Sequence, residues 1–430
     1  MKSTFAPVSS LLLGVAFLIG GNGLQFVLVP LRASAEGWGA VEIGAVGSAY
    51  YIGFVLGCFG GPYAILRAGH IRAFAAAVAV ATAATVALPL WPEFAPWFVL
   101  RLAIGASFAA LYTVIESWLN DRATNQTRGI IMSAYIVVNF AAIALGQFTV
   151  TLFSPVEFTL FAIATMSMSL AIVPVALTRS AQPAPIALVR FRPRALYESS
   201  PVGVVGVTVV GVANGAFWSL AAVAAIGVGL SVSEAASFMV IATVGGALIQ
   251  WPAGRLSDRV DRRIVLVAFL AAAAVIGLAL ALWPASGPAW FVLALLFGMS
   301  TLPTYSLSAA HAYDHASSDT MVETAAGLLL ANACGAVAGP LLAAPLMQQA
   351  GPATLFVFIA GAQALLAAFV VYRLRVTPAV PVEDKTGFDL AATAPIGGVI
   401  SPEQLDPQDP SVATPMSLEI ATAGPSDPVD

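Results

Sequence analysis

The chain has 430 residues, 59% of them hydrophobic and only 9% charged, with a mean hydropathy of +0.90. A water-soluble protein of this length needs far more polar surface, so lipid is the expected solvent for most of it. A net charge of −4 offers no basic field, and no nucleic-acid partner is expected.

The N-terminus carries one basic residue, Lys2, ahead of a long apolar run. That run is too long for a signal-peptide core and is not closed by a small-residue cleavage site, so it reads as an uncleaved first span. Runs of roughly 20 apolar residues are long enough to cross a bilayer. Twelve are found, at about 9–30, 43–64, 73–91, 97–119, 130–152, 157–178, 201–229, 235–254, 264–284, 289–310, 322–348 and 353–374. None alternates with period two, which argues against a β-barrel. The fold class expected is therefore an all-α polytopic membrane protein.

Lys and Arg placement orients it. With the N-terminus inside, sixteen bases fall in inside loops, only Arg32 falls outside, and Arg101 lies within a span. Both termini are then cytoplasmic, and the location expected is a bacterial cytoplasmic (inner) membrane. The connection 178–201 is rich in Pro and Arg and has no spanning run. It divides the chain into a six-helix bundle at 1–178, a cytoplasmic loop at 179–200 and a second bundle at 201–375. The tail, 376–430, holds nine acids against Lys385 alone and little to bury; such composition predicts disorder.

The halves are related. WFVLRLAIGASFAALYTVIESWLND (97–121) aligns without gaps on WFVLALLFGMSTLPTYSLSAAHAYD (290–314), with nine identical positions of 25. Paired bundles with a site between them are a secondary-transporter architecture.

GRLSDRVDRR (254–263) gathers six charges in ten residues between spans 8 and 9. It resembles the GxLaDRxGRR loop of the major facilitator superfamily, matched at Gly254, Leu256, Asp258, Arg259, Arg262 and Arg263, with Asp261 in the place of the family's Gly. The first-half loop, 60–72, is degenerate, with Leu66 in the Asp position. RLAIG (101–105) resembles the superfamily's span-4 Arg motif. ESWLN, SAY and GQ within 116–147, AHAYDH and GAVAGP within 310–340, and YYIGFVLG (50–57) are similar to the YcaD-like branch, which brings no substrate with it. The glycine-rich GP motif of drug/proton antiporters is missing from span 5, which weakens drug efflux.

The resemblance implies two pseudo-symmetric bundles and a cavity lined by spans 1, 4, 7 and 10. Amides facing lipid are costly, and together these select Asn22, Gln25, Tyr112, Asn214, Trp218 and Tyr305 as candidate solute-binding residues. Arg101 joins them, because an arginine inside a span costs at least about 2.5–3.5 kcal/mol and should face a cavity, with snorkelling to the surface as the alternative.

A gate on the cytoplasmic side is expected from Arg67, Glu116, Arg128, Asp258, Arg259, Asp314 and Glu323. The resemblance gives Asp258 the role of a latch at a neighbouring helix N-terminus, where the dipole favours an anion. Glu116 is also the candidate proton carrier. The stripes Gly53, Gly57, Gly61 and Gly335, Gly339 permit close packing, and the resemblance places it between the halves. Cys58 and Cys334 read as packing residues. HAYDH (311–315) lacks the following Glu of a paired-histidine metal motif, so no metal is expected, and without a Gly-rich phosphate loop, nucleophile elbow or triad pattern in the sequence neither is a cofactor or enzyme activity.

The function expected is secondary active transport of a small solute by a monomer in the bilayer, proton-coupled and by alternating access. The alternatives are a uniporter or drug-efflux antiporter of this fold, or a non-transporting receptor or signalling protein.

Overall fold

The computed structural model describes residues 8–122, 127–177, 192–285, 287–381, 385, 386 and 388. It contains twelve helices long and apolar enough to cross a membrane. They are α1 (Ser9–Ala35), α2 (Ala40–Ala68), α3 (His70–Leu90), α4 (Phe94–Leu119), α5 (Gly129–Thr149) and α6 (Phe158–Ala176), then α7 (Pro201–Gly227), α8 (Val232–Arg259), α9 (Arg262–Leu282), α10 (Pro288–Tyr313), α11 (Met321–Ala350) and α12 (Thr354–Val376). A helix meets every backbone hydrogen bond internally, which lipid demands. Each apolar run is therefore helical, with ends within a few residues of those that hydropathy marks, and the sixth and tenth are interrupted at Ala171 and Leu302.

Local signals set the helix ends. The N–H of Gly39 donates to Glu42 Oε2 at 2.8 Å before α2, and that of Ser231 donates to Glu234 Oε2 at 2.8 Å before α8. A carboxylate at the third helical position suits the positive end of the helix. Gly69, at φ +81°, ends α2 in a backbone region open chiefly to glycine.

Six helices pack into each of two bundles, and the internal repeat is visible in their contacts. A Cβ on Gly105 of α4 would lie 1.9 Å from the Tyr50 carbonyl of α2. Its repeat partner, Gly298 of α10, would be 1.9 Å from the Ala242 carbonyl of α8. Small residues let these helices approach closely.

The bundles meet toward the end that carries Gly39 and Gly351, termed the far end. Ser48 Oγ of α2 donates to the Val337 carbonyl of α11 at 2.8 Å. Gly44 packs on Pro340 and Ala344, and Gly47 on Ser219 of α7. Thr243 Oγ1 of α8 donates to Gln147 Oε1 of α5 at 2.9 Å. The opposite, motif end carries Val260 and Asp261. The α2 and α11 helices thus meet across the halves, but the glycine stripes are not where they touch. Gly53, Gly57 and Gly61 face Leu102, Ala106 and Ala110 of α4, while Gly335 and Gly339 face Thr208 and Val212 of α7. Both stripes are packing seams inside a bundle.

Candidate functional site

A cavity of about 130 Å³ lies between the bundles, midway along them. Asn22, Phe26, Tyr50, Tyr51, Phe54 and Tyr112 line it from the first bundle, with Asn214, Trp218 and Asn332 opposite. Four of the residues picked from sequence are therefore brought together: Asn22, Tyr112, Asn214 and Trp218. Asn22 Nδ2 donates to the Tyr50 hydroxyl at 3.4 Å. The Oδ1 atoms of Asn22, Asn214 and Asn332 are buried without a hydrogen-bond partner. A buried unsatisfied carbonyl costs about 1–3 kcal/mol, so three lone acceptors, one from the first bundle and two from the second, suit a solute that donates hydrogen bonds.

Arg101 occupies a smaller recess that shares Phe26 and Trp218 with this cavity. It is 3% exposed, so it does not snorkel to the surface. Its guanidinium lies 4.6 Å from the centre of the Tyr50 ring, and Nη1 donates to Gln25 Oε1 at 3.4 Å. Its Nε has no hydrogen-bond partner. A cation–π contact contributes about 2 kcal/mol when desolvated, well below what a carboxylate would supply. Among the described residues no acid forms an ion pair with Arg101. Gln25, fully buried, touches Arg101 and Met168 Sδ and thus supports the recess without lining the cavity.

Tyr305 is placed differently. It is 1% exposed and packs in a second-bundle core cluster with Val207, Leu266 and Leu328. It is absent from the cavity wall. In the repeat it matches Tyr112, but α10 is interrupted at Leu302, ahead of Pro303, where α4 runs on through Ala110. Proline lacks the N–H a helix needs and displaces the residues on its C-terminal side.

The motif end is organised around Arg262 rather than Asp258. Arg262 and Asp314 each have side chains 1% exposed, and Arg262 Nε meets Asp314 Oδ2 at 2.7 Å. Arg262 Nη2 donates to Asp314 Oδ1 at 3.3 Å, making the pair two-pronged. Arg262 Nη1 donates to Ser257 Oγ at 2.9 Å. Asp258, 39% exposed, lies 2.9 Å from Arg262 Nη1 in an ion pair without hydrogen-bond alignment. The residue at a helix N-terminus is Asp261, which caps α9 by accepting from the Arg263 N–H at 3.0 Å. Burial pushes its carboxyl up, but the hydrogen bonds and charge of Arg263 win and hold it below the usual range. The backbone there has φ −54°, so the glycine usual in this motif is not required.

The remaining gate candidates are dispersed. Glu116 is 6% exposed and lies near the motif end of α4. Arg67 and Arg259 are exposed. Glu323 meets Arg192 at 3.4 Å in a pair whose arginine is largely in solvent. The side chain of Arg128 lies outside the described residues.

Sequence reasoning missed Tyr50 and Tyr51 as site residues, although both open the YYIGFVLG stretch. A tyrosine pair at the middle of an otherwise apolar span was the available signal. It also left Arg262 as one motif charge among several.

The family model of the Major Facilitator Superfamily matches residues 11–329 and 203–408. An uncharacterized MFS-type transporter, YcaD, of Escherichia fergusonii is 28% identical over 356 residues, 82% of this chain and 92% of that one. A mutant of the nucleoside transporter NupG superposes with a TM-score of 0.74 at 12% identity, covering 85% of this chain and 99% of that one. A bacterial homologue of the human lysosomal transporter Spinster, inward-facing and occupied, gives 0.70 at 16% identity, covering 88% and 97%. With twelve spans, a duplicated bundle and a charged loop between α8 and α9, the chain belongs to the major facilitator superfamily.

Proposed function

We propose that the chain is a secondary active transporter that moves a small organic anion by alternating access. One observation carries the substrate class: Arg101 is buried beside the cavity and has only a tyrosine face and an amide for company. An uncompensated cation in a low-dielectric site is costly. An anionic group arriving with the solute would neutralise it. The rings of Phe26, Tyr50 and Trp218 would cover the solute's apolar body, and Asn22 and Asn214 would accept its hydrogen bonds. The placement of Lys and Arg supports a motif end that faces the cytoplasm, with the far-end contacts between the bundles on the outer side.

Glu116 is the carboxylate assigned to proton coupling. It is a carboxylate buried near the motif end of α4.

The test is uptake in proteoliposomes from a panel of carboxylates, sugars, amino acids and cationic drugs, with and without a pH gradient. Uptake confined to anions, lost in Arg101→Ala and retained in part by Arg101→Lys, is expected. Glu116→Gln is expected to abolish gradient-driven accumulation while leaving exchange of preloaded solute. Transport of neutral solutes that is indifferent to Arg101→Ala would overturn the substrate class.

A further inference from the structure

A short piece of the tail is built into the motif end. Thr386 donates twice to Asp314 Oδ1, through its N–H and its Oγ1, both at 2.9 Å. Its carbonyl accepts from Arg262 Nη2. Lys385 Nζ donates to the carbonyls of Ser257, at 3.3 Å, and Val260. Burial, then the nearby charge of Arg262, lowers the Lys385 ammonium's pKa. Phe388 is 5% exposed, and a Cβ on Gly254 would lie 2.1 Å from Cδ1 of its ring. These contacts span the ends of α8, α9 and α10. They complete the hydrogen bonding of the buried Arg262–Asp314 pair, which such a pair needs to offset its desolvation.

The position of Phe388 has a conformational meaning. Gly254 and Thr243 are eleven residues apart on α8, close to three turns of 3.6, and so lie on one face. That is the face through which α8 reaches α5 of the other bundle, by the Thr243–Gln147 bond. Phe388 therefore fills the continuation of the inter-bundle face at the motif end, where the halves must come together for that end to close.

We infer that the loop between α8 and α9, with Gly254 and Asp314, is a docking site for the chain's own Lys385, Thr386 and Phe388. Seated there, the tail segment acts as a wedge that holds the motif end open. The wedge must leave before the opposite state forms, so whatever draws the tail away sets how readily the protein turns over.

The test needs no solute. Spin labels are placed on Ala68→Cys and Leu256→Cys, exposed positions in different bundles at the motif end, with Cys58 and Cys334 replaced by serine. Distances between them are measured in the full-length chain, in Phe388→Ala and in Thr386→Pro. Both tail substitutions lie outside the spans, so folding is spared. The closed-to-open ratio is expected to rise about tenfold in each, the size expected from losing one or two hydrogen bonds or one buried ring. Identical distance distributions in all three proteins would overturn the wedge. Because no transport is measured, that failure is separate from a failure of the anion-transport reading.

Discussion

At the far end of each bundle the same carboxylate steadies the same helix start: Glu42 on Gly39 in the first, Glu234 on Ser231 in the second. Twenty-seven residues further along each helix the likeness ends. Leu66 stands where Asp258 does. His70, matched to Arg262, meets Ser117 Oγ at 2.9 Å, while Arg262 holds Asp314 in a two-pronged buried pair. Within the spans the difference runs the other way. The first bundle has Tyr50, Arg101 and Glu116 where the second has Ala242, Ala294 and Ala309. Duplication supplied one backbone plan twice. One copy carries charged groups buried within its spans, and the other a buried ion pair at its motif end.

Breaking the lock should show the largest effect. Removing one partner of a buried ion pair costs roughly 3–5 kcal/mol, so Asp314→Ala and Arg262→Ala should lower thermal stability in detergent strongly. His70→Ala, the matched change in the first bundle, should cost far less. Asp258→Asn, which alters a half-exposed and unaligned pair, should stay within about 1 kcal/mol. Melting curves that rank Asp258→Asn with Asp314→Ala would return the central role to Asp258. If Asp258→Asn inserts and melts normally yet transports normally too, it has no latch function.

The packing comparison predicts equality instead. Gly105→Ala and Gly298→Ala each force a Cβ against a carbonyl at the same 1.9 Å. Overpacking of this kind costs about 1–3 kcal/mol, and the two losses should agree. A cost confined to one bundle would show that the repeat has drifted in its packing as well as in its charge.

Pro303→Ala sharpens the interior comparison. With the N–H restored, α10 should run continuously as α4 does, turning Tyr305 toward the position Tyr112 holds. Tyr305→Cys in that background should then react with a small thiol reagent at least about tenfold faster than in the parent, as burial is relieved. An unchanged rate would mean that core packing, not the proline, sets the direction of Tyr305.

These contrasts also mark what the residues reveal on their own. Twelve spans, the duplication and the motif loop were legible because each is a pattern of many residues: length of apolar run, gapless alignment, spacing of charge. The cavity was half legible. Asn22 and Asn214 stood out as amides in lipid, but Tyr50 is ordinary as an aromatic in a span and became visible only through its contact with Arg101. Arg262 could not be ranked above Arg259, because one-dimensional spacing does not say which base turns inward. Phe388 sits in a stretch whose composition predicts no core, yet it packs, because Gly254 leaves a space one ring wide.

The smallest effect concerns how the two loops turn. Gly69 sits at φ +81°, whereas the matched Asp261 sits at φ −54°. Gly69→Asp should therefore strain the first loop by about 1–3 kcal/mol. Asp261→Gly should cost only a few tenths for the cap, plus its exposed share of the Arg263 contact. The second cost should depend on pH. Asp261 titrates below its ordinary value of 3.8 in the folded chain, so its contribution is complete above that value and disappears as pH falls through the lowered one. Melting temperatures of wild type and Asp261→Gly should thus differ at neutral pH and converge in strong acid, while the Gly69→Asp deficit persists across neutral pH. A pH-independent gap for Asp261→Gly would mean that the residue acts through backbone geometry, and the charge that distinguishes this loop from the family pattern would have no role in holding it.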